Sequence, residues 1–283
     1  MPTKVKMCLK LYMECVKMKY IEVRNNSNIL QVSDSYQNMV LKKIIGFHTT
    51  NRLDATSNPH ATYPHYGGAY WTKYPNGKDA RWWWASVKID SDINEEHLFY
   101  VVETSVPLAD IRISEDNYNP QNKKYDTRYL NLQIEFKDEN LKYQGHKYIK
   151  IYVYTNIIKN KGDNGMEVLN DKGEVVFNSN YRYLQVKDVI SKHYNEGDKE
   201  YAFPAYQYPS IDKMAVAIIS VAASEGNYAH MQRINIDGKS IYGTYQKGGR
   251  GNSYSYVPEQ STIILVADVG NCSDVPISYD NVI

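Results

Sequence analysis

The feature that most limits what this chain can fold into is an internal repeat. Residues 21–45, IEVRNNSNILQVSDSYQNMVLKKII, and residues 166–190, MEVLNDKGEVVFNSNYRYLQVKDVI, align without a gap at a spacing of about 145. Glu22 meets Glu167, Val23 meets Val168, Asn25 meets Asn170, Tyr36 meets Tyr181, Lys42 meets Lys187 and Ile45 meets Ile190, and most other positions agree in type. Solenoid and propeller repeats run to roughly 20–50 residues, so a spacing this long predicts two copies of a whole domain, each with its own core. The 283 residues accommodate two such domains of about 120–140 residues.

The repeated text reads as a β-meander. MEVLN alternates as a short strand, DKG is a turn in which Gly173 supplies positive φ, and EVVFN returns, which together predict a hairpin. NYRYLQVKDVI alternates again around Tyr181 and Tyr183 and predicts a third strand. In the first copy Asn26 and Asn28 stand in the turn, asparagine being the other residue that tolerates left-handed geometry.

After the first meander comes an excursion, residues 50–80, rich in Asn, Pro, Gly and Tyr. WWWASVKI, LFYVVETSV, LADIRIS, YLNLQIEF and KYIKIYVYT follow, β-branched and aromatic enough to read as strands. In the second copy the excursion shortens to HYNEGDKEYAFPAYQYPSID, followed by KMAVAIISVAA, QRINID, SIYGTYQ and STIILVADV. KYIKIYVYT and STIILVADV read as equivalent closing strands, and NIIKNKGDNG, residues 156–165, as the linker. The predicted class is all-β: two tandem β-sandwich or jelly-roll-like domains, residues 19–157 with a long loop insertion and residues 158–283. Residues 1–18 place Val5, Cys8, Leu9, Tyr12 and Val16 at the spacing of one helical face and read either as a short N-terminal helical arm that docks on a partner or as extra sequence ahead of the true start. Lys6, Lys10, Glu14 and Lys17 break any signal-peptide core in that arm, so a soluble, unsecreted chain is expected.

Lys and Arg number 33 against 32 Asp and Glu, for a net charge of +1 without a run of one sign, so no nucleic-acid partner is expected. No stretch approaches the roughly 20 apolar residues that span a bilayer, so no membrane insertion is expected. Cys8, Cys15 and Cys272 are an odd, scattered set without metal-ligand spacing or a disulfide framework. Tyrosine, at 27 against 5 Phe and 4 Trp, suits half-buried strands, subunit contacts and sugar-stacking surfaces.

No catalytic, metal or cofactor site is expected. Asp237, Gly238, Lys239 and Ser240 resemble the end of a P-loop, but Arg233 and Ile234 stand where its first glycine belongs, and a hairpin turn accounts for them. KGGRGNS, residues 247–253, precedes no helix that could hold phosphate. His60, His65 and Asp54 lie in a Pro- and Gly-rich loop rather than on elements that fix metal ligands. Neither G-x-S-x-G nor H-E-x-x-H occurs, and Glu95, Glu96, Glu103 and Glu135 are the carboxylates from which a glycosidase pair would be drawn. His48 and His193 occupy equivalent places just past the repeat, which a shared fold constraint explains. The predicted binding residues are Tyr63, Tyr66, Tyr70, Trp71, Tyr74, Arg81 and Trp83, an aromatic cluster fit to stack on a sugar ring or a partner. Trp82, Trp83 and Trp84 are consecutive, and alternation along a strand sends Trp83 to the face opposite its neighbours.

The stretch GMEVLNDKGEVVFNSNYRYLQVKDVI resembles the opening of small bacteriophage tail proteins. The matching residues are Gly165, Met166, Val168, Asn170, Gly173, Val175, Val176, Phe177, Ser179, Tyr181, Leu184 and Val186. The first copy departs at Val32, in place of the phenylalanine, and at Asn28, in place of the turn glycine. The resemblance implies a non-enzymatic virion structural protein of the distal tail or fibre-attachment region, made in the host cytoplasm. Its partners would be other tail proteins and further copies of itself. A carbohydrate- or host-receptor-binding β-sandwich module, with a host-surface glycan as ligand, is the alternative, and a glycan hydrolase without a signature the third.

Overall fold

A computed structural model describes residues 22–24, 30–33, 38–47, 82–88, 97–116, 129–136, 149–158, 166–170, 172–195, 202–222, 231–246 and 260–278. The chain is nearly all β, as its alternating patterns predict, and among the described residues the one helical piece is a 3-10 turn, Gly270–Cys272. The predicted helical arm, residues 1–18, lies outside the described residues.

The first half supplies β1 (Glu22–Arg24), β2 (Leu30–Ser33), β3 (Val40–Phe47), β4 (Trp82–Lys88), β5 (Leu98–Thr104), β6 (Leu108–Asp116), β7 (Tyr129–Phe136) and β8 (Ile149–Thr155). The second supplies β9 (Glu167–Leu169), β10 (Val175–Asn178), β11 (Gln185–Tyr194), β12 (Phe203–Gln207), β13 (Met214–Ser220), β14 (Met231–Asp237), β15 (Ser240–Gln246) and β16 (Gln260–Asp268), with β17 (Ile277–Ser278) after them. The repeat survives as geometry: β1, β2 and β3 start at residues 22, 30 and 40, and β9, β10 and β11 at 167, 175 and 185, a constant offset of 145.

Strand order carries the same duplication. One sheet runs β11-β16-β13-β5-β8-β3-β17 and the other β12-β15-β14-β6-β7-β4, beside the hairpins β1-β2 and β9-β10. Matching each first-half strand to the one eight places later, and setting β17 aside, makes both orders read the same from either end. The copies meet edge to edge and antiparallel, at Val102 opposite Val216 on β5 and β13, and at Leu108 opposite Ile236 on β6 and β14. Both sheets therefore run through both copies, which covers four strand edges, those of β5, β13, β6 and β14, that would otherwise lie open.

By compactness the chain divides into a smaller unit, residues 1–42, 96–99 and 153–184, and a larger one, residues 43–95, 100–152 and 185–283. In the smaller unit the β9-β10 hairpin turns on Gly173, at φ 80°. Asn170 Oδ1 accepts the N–H groups of Lys172 (3.0 Å) and Glu174 (2.9 Å), so one side chain closes the loop. Val168 and Val176 bury against each other with Phe177 packed on them, and Phe177 stacks on Tyr183 at 4.9 Å. Tyr183 Oη donates to the Asn178 carbonyl (2.9 Å) and accepts its N–H (2.5 Å). Met39 and Leu184, equivalent in the repeat, face each other: Leu184 N–H donates to Met39 O (3.0 Å), and Val40 bridges Tyr183.

In the larger unit the two sheets face each other. Gln232 on β14 donates through Nε2 to Tyr194 Oη on β11 (2.6 Å) and accepts from Thr262 Oγ1 on β16. Gln232 and Thr262 are fully buried, among Val101, Leu108, Ile111, Ile134, Ile264 and Val266. Each such aliphatic contributes about 1.5–3 kcal/mol by leaving water, while the polar pair is tolerable only because both members are satisfied. The β14-β15 turn is the predicted hairpin, with Gly238 at φ 58° and Asp237 opposite Ser240.

Two strands were not legible. β12 lies in the stretch read as excursion, and β17 pairs parallel with β3, Ile277 opposite Ile44 and Ser278 opposite Ile45.

Candidate functional site

The carboxylates with catalytic potential hold strands together. Glu103 on β5 accepts from Lys150 Nζ on β8 (3.2 and 3.3 Å) and from Tyr152 Oη. Burial first, and Glu103 second, push the Tyr152 phenol up. Glu135 on β7 pairs with Arg233 on β14. Asp110 on β6, 1% exposed, accepts the N–H of Ile111 (3.0 Å) and that of Ile234 on β14 (3.2 Å), and pairs with Arg112 (3.0 Å). It thus stitches the seam between the copies, and burial raises its carboxyl despite the arginine. Glu95 and Glu96 lie outside the described residues. Among the described residues no three His, Cys, Asp or Glu side chains group as metal ligands, and no helix is long and apolar enough to cross a membrane.

The distinctive surface is the end where β11 and β12 close the two sheets. β11 has ten residues, and Gln185 to Val189 are all exposed, Val186 at 47% and Val189 at 50%. Pro204 and Ala205 on β12 are also exposed; proline offers no N–H and belongs on such an edge. Side chains bridge the two edges. Tyr208 Oη donates to Asp188 Oδ2 (2.7 Å), and Lys192 Nζ lies 5.5 Å from the Tyr206 ring centre. Burial and the Asp188 bond push the Tyr208 phenol up, so it stays a donor. Asp188 Oδ1 accepts the Val189 N–H (2.8 Å), capping a group on its own edge.

Of the predicted binding cluster, Trp83 alone falls within the described residues. Tyr63, Tyr66, Tyr70, Trp71, Tyr74 and Arg81 lie outside the described residues, as do His48, His60 and His65. Trp83 is on β4, the end strand of the six-stranded sheet, opposite Ile134 of β7. His193 is exposed, with Nδ1 3.2 Å from Ser261 Oγ. Asp188, Val189, Lys192, Tyr206 and Tyr208 were missed, although the repeat held a signal: position 188 is Asp where its equivalent, Lys43, has the opposite charge.

Comparison of the chain with protein-family models, with curated proteins and with solved structures finds no match.

Proposed function

We propose that this chain is a non-enzymatic structural protein of a bacteriophage virion, in the distal tail or fibre-attachment region, assembling with itself or with other tail proteins. The tandem organisation belongs to this reading: residues 19–157 and 158–283 are two β-sandwich halves, each giving three strands to each sheet once β17 is set aside. The observation that carries it is the end formed by β11 and β12. There exposed Val186 and Val189 share β11 with Asp188 and Lys192, whose side chains meet half-buried Tyr208 and Tyr206, and such a mixture of aliphatic and tyrosine surface suits protein contacts. Fusing the copies through both sheets also suits a rigid load-bearing part. The residues that resemble phage tail proteins, Val168, Asn170, Gly173, Val176 and Phe177, are those that build the β9-β10 hairpin.

Antibody against the chain is expected to label the distal tail of particles of the phage that encodes it; purified particles without label overturn the reading. A glycan array of the purified chain separates the alternative, since a structural part binds no sugar above background.

A further inference from the structure

We infer that the outer edge of β11 is a dimerisation site for a second copy of this chain, pairing Asp188–Lys192 antiparallel with the same residues of the partner about Ile190. The inference rests on the assembly reading and narrows it to one partner, one strand and one register.

Three observations converge. From Gln185 to Lys192 the outer edge of β11 pairs with no strand among the described residues, and its first five residues are exposed. A strand edge of this length is a template for another strand. The other end of the same sheet is covered, because β17 lies on β3 at Ile44 and Ile45, the equivalents of Val189 and Ile190. With one end open and one covered, self-association takes the isologous form, β11 on β11, which closes as a dimer. The chain already contains this kind of joint, since its own copies meet edge to edge and antiparallel at β5 and β13.

Charge selects the register. The Val189 N–H donates to Asp188 rather than continuing the ladder, and alternate N–H groups on an antiparallel strand point the same way, so Val189 and Ser191 both face outward. Setting Val189 against Ser191 of the second copy pairs those groups and puts Asp188 opposite Lys192 of the second copy, twice over by symmetry. Asp188 then exchanges its cap on Val189 for a cation, and the released N–H finds a carbonyl. The neighbouring register, Val189 against itself, places Asp188 opposite Ile190 and loses that complementarity.

Sedimentation velocity of the full chain tests this with four proteins: the natural chain, Asp188→Lys, Lys192→Asp and the double exchange. The natural chain is expected to dimerise with concentration. Each single exchange should raise the dimer Kd by about tenfold, and the double exchange should return it to within about threefold, because two symmetry-related pairs change together. Hydrogen exchange needs no variant: the amides of Val189 and Ser191 should slow as the natural chain is concentrated. A natural chain that stays monomeric with unchanged exchange overturns the inference and means that Asp188 seals the edge, as does a double exchange no tighter than the singles. Those failures leave tail labelling to be judged by antibody, whereas unlabelled particles leave the dimer measurement intact.

Discussion

Gly243 stands mid-strand in β15, with no turn to make and no positive φ, so its lack of a side chain is a matter of space. A Cβ added there would lie 2.4 Å from both Cδ1 and Cε1 of Phe203, and 2.9 Å from Gln232 Nε2. Carbon atoms pack at about 3.5–4.0 Å, so the Phe203 ring must retreat by about 1 Å or more. Phe203 is only 5% exposed and anchors β12, which among the described residues pairs with β15 alone. Gln232 is the buried tie to Tyr194 and Thr262. Overpacking costs about 1–3 kcal/mol, and disturbing a buried hydrogen bond about 1–3 kcal/mol. Gly243→Ala is therefore expected to destabilise by about 3 kcal/mol, lowering Tm by about 6–12 °C in a chain of this size.

A double-mutant cycle separates this mechanism from a general intolerance of the strand. Phe203→Ala alone should cost about 3–5 kcal/mol. In the double variant the new methyl occupies space that the ring has left, so the combined loss should fall short of the sum by about 1–2 kcal/mol. Urea unfolding followed by tryptophan fluorescence gives all four corners. A Gly243→Ala protein within about 0.5 kcal/mol of the natural chain refutes the steric argument, and so does additivity within about 0.5 kcal/mol.

Two further substitutions test local geometry and charge. At Gly173, with φ 80°, alanine should cost about 1 kcal/mol and asparagine less, because a short polar side chain tolerates left-handed backbone and Asn28 holds the equivalent place; equal losses in thermal unfolding contradict this. For Asp268, burial acts to raise the carboxyl, but the N–H groups of Gly270 (3.0 Å) and Lys213 (3.4 Å), with Lys187, together hold it below its ordinary value. A folded pKa below the unfolded one stabilises above the unfolded value, and that stability is lost as pH falls through the folded value. The gap in unfolding free energy between the natural chain and Asp268→Asn should thus be widest at neutral pH and close on acidification, and a pH-independent gap excludes this account.

Local pattern made strands legible wherever alternation or β-branching ran for seven residues or more, as in Leu98–Thr104, Met214–Ser220 and Gln260–Asp268. It also made Gly173 and Gly238 legible as turn residues, because positive φ is a property of the residue itself. β12 escaped because FPAYQ is short and contains Pro204, and what seats it is Phe203 on Gly243, forty residues later. β17 escaped because two residues carry no period, and its partner β3 lies more than 200 positions upstream. The joining of the copies at Val102 and Val216 is likewise non-local, since the text of two strands does not state that their edges meet. The charge reversal between Lys43 and Asp188 was present in the alignment, but its meaning depends on β11 being an end strand.

That reversal also decides what uncovering β3 should do. Removing residues 276–283 strips β17 from Ile44 and Ile45 and opens the second end of the sheet. Were the two ends interchangeable, β11 of one copy would add to β3 of the next, a heterologous contact that does not close and grows into filaments. They are not interchangeable in charge. At the equivalent register β3 puts Lys43 where β11 puts Asp188, so Lys192 of β11 would face Lys43 of the next copy. Like charges directly opposite oppose strand pairing, whereas β11 on β11 sets Asp188 against Lys192 twice. The truncated chain is therefore expected to remain a closed dimer by light scattering. Adding Lys43→Asp gives the β3 edge one opposite charge for Lys192, against the two pairs of β11 on β11, so the closed dimer should still predominate, with larger particles appearing only at high concentration. Far-UV circular dichroism and Tm show whether both proteins retain the sheet. Truncated chain that polymerises with Lys43 in place contradicts the charge argument, and a truncated Lys43→Asp protein that forms no more large particles than the Lys43 protein at any concentration contradicts the claim that Lys43 guards the β3 end.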